Sequence, residues 1–205
     1  MFNDKYSLTQ AVLDGRKTMT RRVISYPSKF RGQNVAGYYV CRKPSGELVE
    51  VCLHDEDERM IDAGQIFPKF KVGEVVAIAQ SYESVYHKCG LETMDMLVSG
   101  LKYSSGWNNK MFVKADLMIH NIEITGINVE RLQDISDEDC LKEGIIKGKY
   151  GSESTHFMNA YYVPKEKQPY CTPRDAFEIL IDKVAGKGVF QSNPYVFVYE
   201  FNLIK

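Results

Sequence analysis

Tyr195-Val196-Phe197-Val198-Tyr199-Glu200-Phe201-Asn202-Leu203-Ile204 sets Tyr195, Phe197, Tyr199, Phe201 and Leu203 against Val196, Val198, Glu200 and Asn202. Successive side chains of a strand point to opposite faces, so this alternation predicts a long strand. Working back from it, Ile119 to Leu132 is rich in β-branched residues and interrupted by Gly126, as expected of a second long strand, central to a sheet and bent by a bulge or turn. Tyr38 to Arg42 and Glu47 to Leu53 flank Lys43-Pro44-Ser45-Gly46, which reads as a hairpin. Phe70-Lys71-Val72-Gly73-Glu74 feeds the apolar run Val75 to Ala79, read as a strand buried on both sides.

Helices are fewer. Ser7 before Leu8, Ala11 and Val12, closed by Gly15, predicts a short helix with a serine N-cap. Ser136 with Asp139 and a terminal Gly144 predicts about two turns over Asp137 to Glu143. Thr172-Pro173 with Asp175, then Ala176, Phe177, Leu180, Ile181 and Val184, predicts another. Many short strands with a few helices make an α+β chain, most simply a closed or partly closed β-barrel with helices across its openings.

With 205 residues and 44% hydrophobic content, the chain can bury a core and is expected to form a single domain over 1–205. No apolar run reaches the roughly 20 residues that cross a bilayer, and Met1 to Lys17 lacks the apolar core of a signal peptide. The expectation is a cytoplasmic protein with no membrane partner. Cys41, Cys52, Cys89, Cys140 and Cys171 contain no C-x-x-C pair, and His54, His87, His120 and His156 lie far apart, so neither a metal site nor another cofactor is expected. Net charge is -1, yet Gly15 to Gly46 holds Arg16, Lys17, Arg21, Arg22, Lys29, Arg31, Arg42 and Lys43 with no acid, while Asp55 to Glu58 and Asp134 to Asp139 are acid-rich. The charge is polarised toward a basic N-terminal third.

Gly15-Arg16-Lys17-Thr18-Met19-Thr20-Arg21-Arg22 concentrates four cations and two hydroxyls just after the first helix. Glycine permits the sharp turn, and the clustered cations suit phosphate or a base edge. The stretch resembles the G-x-K-x-x-x-x-R signature of the ASCH superfamily, with Gly15, Lys17 and Arg22 matching. Phe70 to Glu83, Val129 to Gly144, Ala176 to Val184 and Asn193 to Phe201 fit the same family in order. The chain looks most like the longer ASCH proteins of phages and prophages.

That resemblance implies a PUA-like β-barrel that holds RNA or a modified nucleoside in a basic cleft. Gly15, Arg16, Arg21, Arg22 and Glu83 are the expected ligand-binding residues. The superfamily also includes amidohydrolases that deacylate N4-acetylcytidine with a lysine, a threonine and a glutamate, which the resemblance places at Lys17, Thr20 and Glu143. A threonine hydroxyl needs a base, and a lysine flanked by Arg16, Arg21 and Arg22 would have its pKa pushed down toward that role. Glu143 would face the negative end of a helix dipole, which disfavours its charged form and suits an acid that protonates a leaving amine. The chain departs from those enzymes in three insertions, near 24–69, 84–111 and 145–172. Arg21 also replaces an apolar residue, and Val23 stands where an acid follows the signature arginine.

The third insertion carries Tyr150, His156, Tyr161, Tyr162 and Tyr170, whose rings either pack their own loop down, the commoner use of such tyrosines, or form a lid that stacks a base. Three functions compete on this evidence: an RNA- or nucleoside-binding module, an N4-acylcytidine hydrolase, and a phage-encoded adaptor whose basic face meets an acidic protein.

Overall fold

The computed structural model describes residues 2–42, 44, 48–89, 100–153 and 156–204. Of the expected Lys43 to Gly46 turn only Pro44 falls within them, and the expected insertion at 84–111 lies outside them over 90–99. The fold is α+β, built on a curled antiparallel half-barrel sheet with a few short helices.

β12 (Tyr195–Ile204) lies between β1 (Met19–Val23) and β8 (Asn121–Arg131), and β7 (Val75–Ala77) closes the order β1-β12-β8-β7. Opposite Glu200 and Phe201 the register slips, so that Glu200 pairs with Gly126 and Phe201 with Ile124. Thr125 is therefore the extra residue of a β-bulge, beside the glycine that marked the bend. Alternation along β12 separates two cores. Val196 and Val198 pack in one with Met19, Leu132, Phe177 and Leu180, while Phe197, Tyr199 and Phe201 pack in the other with Ile78, Ile124 and Val129.

β7 is shorter than expected and lies at the sheet edge, where Val75 is 57% exposed. Its apolar run instead continues inward as Ile78, whose amide donates to the His120 carbonyl at 2.9 Å. The apolar character of that run was set by where the chain goes next, not by a two-sided sheet.

Capping decides the helices. α1 (Leu8–Leu13) starts after Ser7, but Ser7 sits at φ 51° and its side chain makes no cap bond, so the serine N-cap is not realised. α2 (Tyr82–Cys89) follows β7. α3 (Asp137–Lys142) is capped as expected: the Asp139 amide donates to Ser136 Oγ at 3.1 Å. α4 (Pro173–Ala185) repeats the device, with the Asp175 amide donating to Thr172 Oγ1 at 3.1 Å, and α5 (Val189–Ser192) leads into β12. Ala176, Phe177, Leu180 and Ile181 form the buried stripe of α4.

The segment 24–69 folds as the pair β2 (Lys29–Phe30) and β3 (Gln33–Asn34) and as a three-stranded sheet of β4 (Gly37–Arg42), β5 (Leu48–His54) and β6 (Met60–Gln65). The segment 145–172 folds as β9 (Ile146–Tyr150), β10 (Met158–Tyr162) and β11 (Pro169–Tyr170), antiparallel throughout. No helix among the described residues is long and apolar enough to cross a membrane.

Candidate functional site

The site begins where α1 stops. Gly15 takes φ +71°, and the amides of Arg16 and Lys17 both donate to the Ala11 carbonyl at 2.9 Å. This reversal turns Arg16 outward, where it pairs with Asp14 at 3.0 Å, and carries Lys17 inward. Lys17 is only 2% exposed. Its Nζ donates to the Met19 carbonyl at 2.7 Å, the Glu143 carbonyl at 2.8 Å and Glu143 Oε2 at 2.6 Å.

Glu143 is the C-cap of α3, and the glycine after it takes φ +111°. The mismatch expected of a carboxylate at a helix C-terminus is met directly. Lys17 brings a cation to the negative end of the helix and satisfies one of its terminal carbonyls. The Gly144 turn is part of the same construction, because a Cβ there would come within 3.2 Å of Leu8 Cδ2 and 3.7 Å of Lys17 Cδ. Gly144→Ala is expected to cost more than about 1 kcal/mol in urea unfolding, since a positive φ leaves alanine strained.

Arg21, expected to hold ligand, is also the centre of an ion-pair cluster. It is 4% exposed, and three carboxylates surround its guanidinium. Nε donates to Glu130 Oε1 at 2.8 Å, Nη2 reaches Asp139 Oδ2 at 3.2 Å, and Nη1 reaches Glu143 Oε1 at 3.3 Å. Lys142 joins at Asp139 Oδ1, 2.9 Å away. Lys17, Arg21 and Lys142 are thus set against Glu130, Asp139 and Glu143, and the cavity that this cluster adjoins is lined by three cations, Lys17, Arg21 and Arg22, and one acid, Glu143.

Burial pushes the Lys17 ammonium below its usual 10.5; Glu143 opposes this, and Arg22 and Arg21 reinforce it. The direction matches the sequence reading, but dehydration is the larger cause, ahead of the neighbouring cations. For Asp139, burial works against ionisation, yet the hydrogen bond and charge of Lys142 and the charge of Arg21 outweigh it and hold the carboxyl below 3.8. A depressed folded value means that the unfolded chain takes up the proton first as pH falls. The stability due to Asp139 is therefore complete above 3.8 and is lost as pH drops through the folded value. Asp139→Asn should be less stable than wild type at neutral pH, with the gap closing below 3.8 in urea unfolding at stepped pH.

Lys17, Thr20 and Glu143, with Arg21 and Arg22, line one cavity of about 260 Å³. Phe177, Leu180, Ile181 and Val184 of α4 give it an apolar wall, and Phe2 and Asn3 close another side. Thr20 is half-buried on β1, paired with Tyr199 of β12. Thr20, Arg22 and Phe2 also line a narrow adjoining groove of about 70 Å³ with Phe70, Ile78, Tyr199 and Phe201. Sequence reasoning assigned the α4 stripe to the core alone and gave Phe2 no role; an apolar side chain just ahead of α1 was the available signal.

Glu83 is not brought to this cavity. It is exposed in the first turn of α2, and its amide donates to the Trp107 carbonyl at 3.2 Å. Of the two readings of 145–172, the packed loop fits better than the lid, since none of its described residues lines the cavity. Tyr161 and Tyr170 pack instead against the core that holds α4, and Tyr150 is exposed. The scattered cysteines hid one grouping. Cys41 Sγ, a Glu50 carboxylate oxygen and Cys52 Sγ lie within 4.8 Å of one another on the β4–β5 hairpin, and burial pushes the Cys52 thiol up to about 12.

No family model, curated protein or solved structure matches this chain.

Proposed function

We propose that this chain is an ASCH-type, PUA-like protein that takes a cytidine, free or as a single nucleotide of RNA, into the Lys17 cavity and hydrolyses an acyl group from its N4 position. The observation that carries the reading is the meeting of Lys17, Thr20 and Glu143 in one cavity beside an apolar wall. Its volume, about 260 Å³, is just below the range of pockets for drug-sized ligands and suits one base rather than a strand.

Lys17 Nζ donates to Glu143 Oε2 at 2.6 Å, and burial pushes its ammonium below the usual value, toward the amine that a base needs to be. Thr20 Oγ1 bonds the acyl carbon as its own proton passes to Lys17 Nζ, and that proton is handed by way of Glu143 to the departing N4 as the amide bond breaks. Water attacks the resulting ester on Thr20, releasing the carboxylic acid and restoring the hydroxyl.

One observation favours a second reading, binding without chemistry: all three hydrogens of a Lys17 ammonium have acceptors within the protein. Calorimetric titration of the Thr20→Ala protein with N4-acetylcytidine tests the binding that both readings need. Saturable binding of uncleaved nucleoside, weakened by adding Arg22→Ala, is expected; absence of binding defeats both.

A further inference from the structure

A second cavity has a volume of about 430 Å³. Phe2 links it to the first: Phe2 lines the Lys17 cavity, and its carbonyl accepts a hydrogen bond from Lys110, which lines the second. Thr9, Gln80, Ser81, Asn109 and Asp4 line it as well.

Gln80 is the anomaly there. It is 4% exposed, and its Oε1 is buried without a hydrogen-bond partner among the described residues. Buried side-chain acceptors are nearly always satisfied, so an orphan one is a cost that the fold carries for a reason. The last torsion of a glutamine is soft, and a turn about it brings the amide to bear on the cavity that the residue already lines.

The two lysines of the cavity, Lys110 and Lys165, both already have acceptors on Asp4. Lys110 Nζ pairs with Asp4 Oδ2 at 2.8 Å and donates to Thr9 Oγ1 at 3.1 Å as well as to the Phe2 carbonyl. Thr9 Oγ1 donates to Asp4 Oδ1, and Lys165 Nζ donates to the Asp4 carbonyl at 3.1 Å. An anionic ligand would have to break this set. A neutral one that offers an N–H or O–H would complete it.

We infer that this cavity binds a neutral, hydrogen-bond-donating ligand of nucleoside size, with Gln80 accepting from it. Its volume falls within the usual range for small-molecule sites. The donor belongs either to a base or to a sugar hydroxyl, and the test separates the two. The inference does not rest on the Lys17 reading, because the residues are different and the signals followed are those of the second cavity.

The experiment is NMR titration of the full chain with cytidine, adenosine, free ribose and adenosine 5′-monophosphate, following the Gln80 side-chain amide and the backbone amides of Ser81, Ser84 and Asn109. Saturable shifts at Gln80 with a nucleoside are expected, several-fold weaker with the monophosphate, and those of the Ser81, Ser84 and Asn109 amides should be abolished in Gln80→Met. Shifts with ribose as well assign the donor to the sugar; shifts with nucleosides alone assign it to the base. Gln80→Met should keep or raise the Tm, because it removes an unsatisfied acceptor. If it lowers the Tm, Asn108→Trp on the exposed rim decides instead and must abolish the shifts. The proposal is overturned by no saturable shift at Gln80 with any probe, by binding that survives the deciding variant, or by a monophosphate that binds as well as its nucleoside.

Discussion

Glu143→Ala is expected to lower the unfolding free energy by about 3 to 5 kcal/mol, among the largest losses that any single change in this chain should cause. The reason is the position of the carboxylate between two buried cations. Removing it leaves Lys17 with two carbonyls and no counter-charge, and takes one of three acids from Arg21. For a chain of this length the fall in Tm should be roughly 6 to 20 °C, from about 2 to 4 °C per kcal/mol. Lys17→Met combined with Glu143→Leu should recover much of the loss, because an apolar pair of similar volume has no charge to dehydrate. Urea unfolding checks both variants. A loss below about 1 kcal/mol for Glu143→Ala would mean that the pair behaves as a solvated surface contact.

Phe201→Ala is the second large effect, about 3 to 5 kcal/mol for a fully buried aromatic ring. Phe201 is 1% exposed, follows the slip in register on β12, and donates its amide to the Thr18 carbonyl at 2.9 Å. Its ring centroid lies 5.5 Å from that of Phe2. Phe2 walls both the Lys17 cavity and the adjoining groove, so truncating Phe201 removes the support of that wall. Nucleoside affinity should therefore fall with stability, measured by calorimetry at a temperature where the variant stays folded. Val75→Ala, on the exposed edge of the same sheet, should change stability by less than about 0.5 kcal/mol.

Local patterns carried the fold. The bounds of β12 coincide with its alternation, and the Ser136 and Thr172 caps form as their spacing suggests. Ser7 failed as a cap because a left-handed backbone there turns its hydroxyl away from the helix, a matter of how the chain enters and not of residue type. Val75 to Ala79 misled because hydrophobicity does not say which strand is an edge.

The site was less legible because its partners are distant. Lys17 and Glu143 are separated by 126 positions, and only the resemblance joined them. Arg21 in a run of cations reads as part of a solvated basic loop, and Asp139 in a run of acids reads as part of a solvated acidic helix. Folding makes each the other's counter-ion. Segregation of charge along the chain became pairing in space around Arg21. Glu83 offered no such pairing and stayed at the surface.

The most direct test is chromatography of the products after incubating the protein with N4-acetylcytidine, comparing wild type with Thr20→Ala. The expected result is cytidine and acetate from wild type and intact substrate from Thr20→Ala. Turnover that survives Thr20→Ala, or no turnover by a wild-type protein that binds the nucleoside, would contradict the catalytic account.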